Sequence, residues 1–106
     1  MTMIDLDALT EQELFPGYRG RFVHSDHMTL AYWHVIAGAV APEHSHPHEQ
    51  VMTVLEGRFE LNVDGKVMEV TPRTPVILPS NVPHGGIALT ACRLLDVFHP
   101  VREDFR

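Results

Sequence analysis

From Arg21 onward the chain is a succession of short apolar runs separated by turn residues, with no sustained helical period. Runs of this length and spacing predict strands. They fall at Arg21–His24, Met28–Ile36, Gln50–Leu55, Arg58–Val63, Lys66–Val70, Val76–Leu78, Gly86–Leu89 and Arg93–Phe98. Asp64-Gly65 is the clearest hairpin signal, Glu56-Gly57 a second tight turn, and Pro79-Ser-Asn-Val-Pro83 a rigid turn delivering His84. In Met28–Ile36, period two sets Leu30, Tyr32 and His34 on one face and Ala31, Trp33 and Val35 on the other. Tyr32, Trp33, Phe59 and Leu61 are expected in the core, and His34, beside Tyr32, is a candidate for a pocket wall. Residues 4–15 carry loose helical spacing, and Thr10-Glu-Gln-Glu reads as a capping sequence before Pro16-Gly17 ends the segment. The prediction is an all-β sandwich or barrel in one domain over 1–106, with an N-terminal helical or irregular segment at 1–17 and the barrel at 18–105.

Composition narrows the functional classes. A formal charge of −6 without a basic cluster argues against nucleic acid as partner. No apolar run reaches the length of a membrane span, and the N-terminus lacks the features of a signal peptide, so a cytoplasmic protein is expected. Cys92 is the one cysteine, which excludes an intrachain disulfide and a cysteine-rich zinc site. Apolar side chains on both faces of Leu30–Trp33 and Val51–Leu55 suggest that a second sheet or subunit covers one face.

Histidine, with eight residues, is the outlier. Within Gly38-Ala-Val-Ala-Pro-Glu-His-Ser-His-Pro-His-Glu-Gln50, the residues His44, His46 and Gln50 share strand parity and can project into one cavity. Imidazole suits Zn, Cu, Fe and Ni, so two such rings from one segment are candidate metal ligands. His48 has the same parity, but Pro47 interrupts the pleat, which leaves His48 as a neighbour of the ion. His84, fixed by two prolines and followed by two glycines, is the natural candidate for a further ligand, the alternative being a turn histidine on the surface. A second polar residue stands out at the other end of the chain. Asp96 interrupts an apolar run on the face of Leu94 and Phe98, so it is either ion-paired (with Arg93, Arg19 or Arg21) or lines a cavity where its chemistry is used.

The stretch Gly38–Gly57 resembles the first motif of the cupins, and Pro79–His84 resembles their second, with Asn81 at a position that is usually glycine. Gln50 stands where Glu is usual, Arg73 where a Pro-Gly-Asp turn is common, and Ala88 where a late Asn occurs. The resemblance spans roughly residues 18–105. It implies a double-stranded β-helix, a jelly-roll-like barrel, holding one divalent metal ion (Ni, Zn, Mn or Fe) on His44, His46, Gln50 and His84, in a chain that forms homodimers. With Arg93–Phe105 added, the sequence is similar to one cupin branch, the small pectin-degradation proteins of the KdgF type. These convert 4,5-unsaturated monouronates to open-chain keto forms. That resemblance implies Asp96, Phe98 and Arg102 as catalytic residues and an acidic sugar as substrate. A neutral amide at Gln50 leaves the full charge of the ion facing the pocket, which favours a Lewis-acid or anion-binding centre. The other readings are an Fe(II) cupin dioxygenase and a non-catalytic metal- or sugar-binding module.

Overall fold

The computed structural model describes residues 1–106 as ten antiparallel strands in two facing sheets. They are β1 (Gln12–Phe15), β2 (Tyr18–His24), β3 (Thr29–Val35), β4 (Val40–His44), β5 (Glu49–Glu56), β6 (Phe59–Val63), β7 (Lys66–Val70), β8 (Val76–Leu78), β9 (His84–Ala88) and β10 (Cys92–His99). One sheet has the order β1-β2-β3-β10-β5-β8 and the other β4-β9-β6-β7. Single 3-10 turns at Leu6–Ala8 and Glu103–Phe105 are the helical content. No helix is long and apolar enough to cross a membrane. The all-β jelly-roll expectation therefore holds.

The core is built by period-two alternation. Ala31, Trp33 and Val35 of β3, Met52 and Val54 of β5, and Leu94 and Phe98 of β10 face Phe59, Leu61, Val70 and Ala88 of the second sheet. At Asp64-Gly65 both residues adopt positive φ, 50° and 84°, the backbone a two-residue hairpin loop requires. Gly20 is required for a different reason. A Cβ there would lie 2.9 Å from the Trp33 ring, so its absence makes room for the indole against β2.

Four expectations change. Gln12–Phe15 is strand, because Pro16-Gly17 folds the segment back onto Tyr18–Gly20 instead of ending a helix, and Gly17 takes φ 82°. The 3-10 turn at Leu6–Ala8 is capped by Asp5, not by Thr10. Glu11 instead reaches over the outer face of β2 and β3, bonding Arg19 (3.0 Å), Arg21 (3.0 Å) and His34 (2.7 Å). His34 thus points outward into an ionic cluster and lines no part of the main cavity. Tyr32 lies half-buried on the same outer face, since the core takes only the Ala31–Trp33–Val35 side of the strand.

Candidate metal centre and pocket

β4 ends at His44, and the chain turns through Ser45–His48 before β5 begins. His44 and His46 are therefore brought together by a turn and not by a shared pleat. His84 opens β9 and stands opposite His44 in the ladder. The His44 and His84 rings lie 4.3 Å apart, and the His46 and His84 rings 5.0 Å. One nitrogen from each of the three residues falls within 4.8 Å of the others.

Backbone carbonyls fix the tautomers. The Nδ1–H groups of His44, His46 and His84 donate to the carbonyls of Pro42 (2.9 Å), His48 (3.1 Å) and Val82 (2.9 Å). Each Nε2 therefore presents a lone pair, and a carbonyl partner on the other nitrogen is the usual support of a ligating histidine. His84 Nε2 is buried with no hydrogen-bond partner. His46 Nε2 faces Gln50 Oε1 at 3.1 Å, two acceptors turned toward one another. These orphaned lone pairs fit a divalent cation, which would accept from all of them. Burial holds His84 below the ordinary imidazole range and, with Arg102 and His84 nearby, brings His46 down to about 4. Both rings are then neutral at pH 7, as ligands must be. His48 supports this set through its carbonyl, while its own ring lies against Phe98 and His46.

Beside the histidines opens a cavity of about 400 Å³, whose wall includes Gln50, His44, His84, Asp96, Phe98 and Arg102. Asp96, 8 % exposed, pairs with none of the arginines considered for it. Arg19 and Arg21 are engaged by Glu11, and the Asp96 contact is the Trp33 indole N–H, donating to Oδ2 at 3.1 Å. Its Oδ1 is buried without a partner. Burial raises the carboxyl from 3.8 to about 6, a rise limited by the nearby Gln50 amide, the indole and the Arg102 charge.

Arg102 is a wall residue and no solvated tail. Its guanidinium lies 4.7 Å from the Phe98 ring and 4.1 Å from the Phe105 ring. Nε and Nη2 grip Asp104 at 3.0 and 2.8 Å, and the Arg102 backbone N–H donates to Thr29 Oγ1 at 2.9 Å. The seven residues expected as ligands or catalytic groups thus meet at one place, six on the cavity wall and His46 beside His44 and His84, whereas His34 lies elsewhere. Sequence reasoning missed Trp33 as the partner of Asp96, and Tyr18 and Phe105 as lining residues. For Tyr18 the available signal was period two: it shares parity with Gly20 and Phe22 in a strand that begins three residues before the expected Arg21.

This two-sheet barrel, with histidines from two segments at its mouth, agrees with a family profile described as the cupin domain, which matches residues 31–98. The chain belongs to the cupin family. The pectin degradation protein KdgF of Dickeya dadantii (strain 3937) is 29% identical to it over 102 residues, covering 93% of each chain. The structure of KdgF from a Halomonas species superposes with a TM-score of 0.93 at 25% identity, covering 100% of this chain and 99% of that one. An RmlC-like cupin from Shewanella frigidimarina NCIMB 400 follows at TM-score 0.89 and 30% identity, covering 94% and 91%. This cupin is thus similar to KdgF proteins over nearly its whole length, and it carries a three-histidine cluster that could hold a metal ion.

Proposed function

We propose that this cupin is a metal-dependent enzyme of pectin breakdown that converts 4,5-unsaturated monouronates to their linear keto forms. The observation that carries the reading is Asp96, a buried carboxylate with one unpaired oxygen on the wall of the cavity that His44 and His84 also line. The similarity to a protein named for pectin degradation supports the substrate class. A cavity of about 400 Å³ suits a single sugar ring.

A cation on His44, His46, Gln50 and His84 would supply an attractive charge for the uronate carboxylate and polarise the adjacent oxygens. The rest falls to the side chains. Asp96 takes the proton of the anomeric hydroxyl as the bond from C1 to the ring oxygen breaks, which leaves an aldehyde at C1 and an enolate at C5. The same proton is then delivered to C4, completing a ketone at C5, so the reaction is an isomerisation with no atom gained or lost. A carboxyl raised to about 6 suits both directions of transfer near neutrality. Phe98 gives a flat apolar wall, and Arg102 Nη1, free of the Asp104 grip, offers a charged donor to a ligand oxygen.

The assay is the loss of ultraviolet absorbance of an unsaturated monouronate on addition of metal-loaded protein. Asp96→Asn, which keeps an acceptor oxygen but cannot take up a proton, should abolish turnover while ligand binding remains measurable. Oxygen uptake by an iron-loaded sample, without that absorbance loss, would replace this reading with a dioxygenase.

The homodimer belongs to the same proposal. On the outer face of the larger sheet, Val23, Leu30, Val97, Val51 and Ile77 form one register row across five strands, all apolar. Ile77 is 68 % exposed, and a second copy laid on this row would cover it.

A further inference from the structure

The cavity holds a second unpaired buried oxygen that the reaction above does not use. Tyr18 is 4 % exposed, lines the same cavity as Asp96, and its hydroxyl makes no hydrogen bond. A tyrosine hydroxyl buried without a partner costs stability that a phenylalanine in the same place would not. The ring is well fixed for reasons unrelated to its oxygen. It lies tilted against Phe15 at 4.4 Å and meets Trp33 edge-on at 5.9 Å.

The strand register gives the cavity two ends. Along β10 the inward positions are Cys92, Leu94, Asp96 and Phe98. Phe98 pairs with Gln50, at the histidine end, whereas Cys92 pairs with Val35, which in turn pairs with Tyr18. The tyrosine therefore enters from the end remote from the histidines, and Asp96 stands between. Burial and the Asp96 charge both push the phenol up, so it remains an O–H donor throughout the working pH range.

We propose that the Tyr18 hydroxyl is a ligand-binding group that, with Asp96 Oδ1, receives the hydroxyl end of a sugar acid whose carboxylate is drawn to the histidine end. This rests on the sugar-acid reading given above. A sugar acid is itself two-ended, anionic at C6 and hydroxylated around the ring. A cavity with a cation-binding cluster at one end and a phenol at the other matches that asymmetry. Phenol donates and carboxylate accepts, so a hydroxyl, which does both, satisfies either oxygen. A site built to hydrogen-bond a hydroxyl also discriminates against ligands that lack it, because its buried groups are then left unpaired. Tyr18 would thus separate sugar acids from simple carboxylates, which the histidine end alone would accept equally.

The test compares wild type with Tyr18→Phe, both nickel-loaded, by calorimetric titration with D-galacturonate and with acetate, a carboxylate without hydroxyls. Melting temperatures of both proteins are measured free of ligand. The proposal predicts that Tyr18→Phe weakens galacturonate binding about tenfold or more, leaves acetate binding unchanged, and melts no lower than wild type. Galacturonate affinity within twofold of wild type would overturn it, and so would a lower melting temperature, which would make the hydroxyl structural. Two results separate this proposal from the reaction. Galacturonate binding that depends on Tyr18, in a protein that leaves an unsaturated monouronate unconverted, removes the reaction and keeps the contact. Conversion of the monouronate with galacturonate binding indifferent to Tyr18→Phe keeps the reaction and removes the contact. A wild type that binds no galacturonate overturns the contact and leaves the reaction to be decided by the absorbance assay.

Discussion

Asp96→Asn in the metal-free protein should stabilise the fold, and the size of the gain can be worked from the site. The carboxyl titrates at about 6 in the folded chain against 3.8 for the free group, because burial penalises its charge. A group raised on folding binds more protons in the folded state than in the unfolded state between those two values. Stability therefore falls as pH rises through that window and stays reduced above it. At about 1.4 kcal/mol for each pH unit, ionised Asp96 costs about 3 kcal/mol at pH 7.5 and about 1 kcal/mol at pH 4.5. His46 runs the other way. Its lowered value means that stability rises with pH from about 4 toward the ordinary imidazole value, so the two partly offset in wild type. The difference between wild type and Asp96→Asn isolates the carboxylate. Urea unfolding of chelator-treated proteins should show Asp96→Asn more stable by about 3 kcal/mol at pH 7.5, equivalent to a melting shift on the order of 10 °C. The gap should shrink to about 1 kcal/mol at pH 4.5. A variant less stable than wild type at pH 7.5, or a gap independent of pH, would refute the view that Asp96 is held ionised at a cost.

Other consequences are more direct. Gln50→Glu adds a negative charge beside the ion, so metal retention against a chelator should increase while the affinity for an acidic ligand falls; unchanged ligand affinity would remove the charge argument. Arg102→Lys keeps the charge but loses the two-nitrogen grip on Asp104 and the stacking on Phe98 and Phe105. Its Michaelis constant for an unsaturated monouronate should rise on the order of tenfold, as expected for one lost charge-assisted bond, with metal content unaltered. Val97→Glu puts a charge in the middle of the apolar outer row, and sedimentation should show monomer in place of dimer with metal content unchanged.

Local signals carried the fold a long way. The Asp64-Gly65 hairpin, the strand texture and the Pro79–Pro83 turn before His84 are set by neighbours in sequence, so β5 to β9 could be read directly. β1 and β4 could not, because each is a strand only by virtue of its partner. Gln12–Phe15 is mostly exposed and has no apolar alternation of its own, and Val40–His44 is held by β9. His34 and Tyr32 show the same limit. Period two put them on one face, but with apolar residues on both faces of β3 it could not say which was inner. The three histidines of the cluster were legible because motif spacing keeps them within two segments. The Trp33–Asp96 bond joins residues 63 apart and leaves no local trace, whereas Tyr18 lies before the strand expected from Arg21 and had only its parity with Phe22 to mark it.

The central claim is that four side chains from two distant segments converge on one cation. It is tested most directly by metal content and melting temperature of the purified protein before and after chelation, alongside His84→Ala. The account predicts about one divalent ion per chain in wild type, a clear fall in melting temperature on its removal, and a His84→Ala protein that folds but holds no ion. A wild type without stoichiometric metal, melting identically in chelator and in added nickel or zinc, would contradict it.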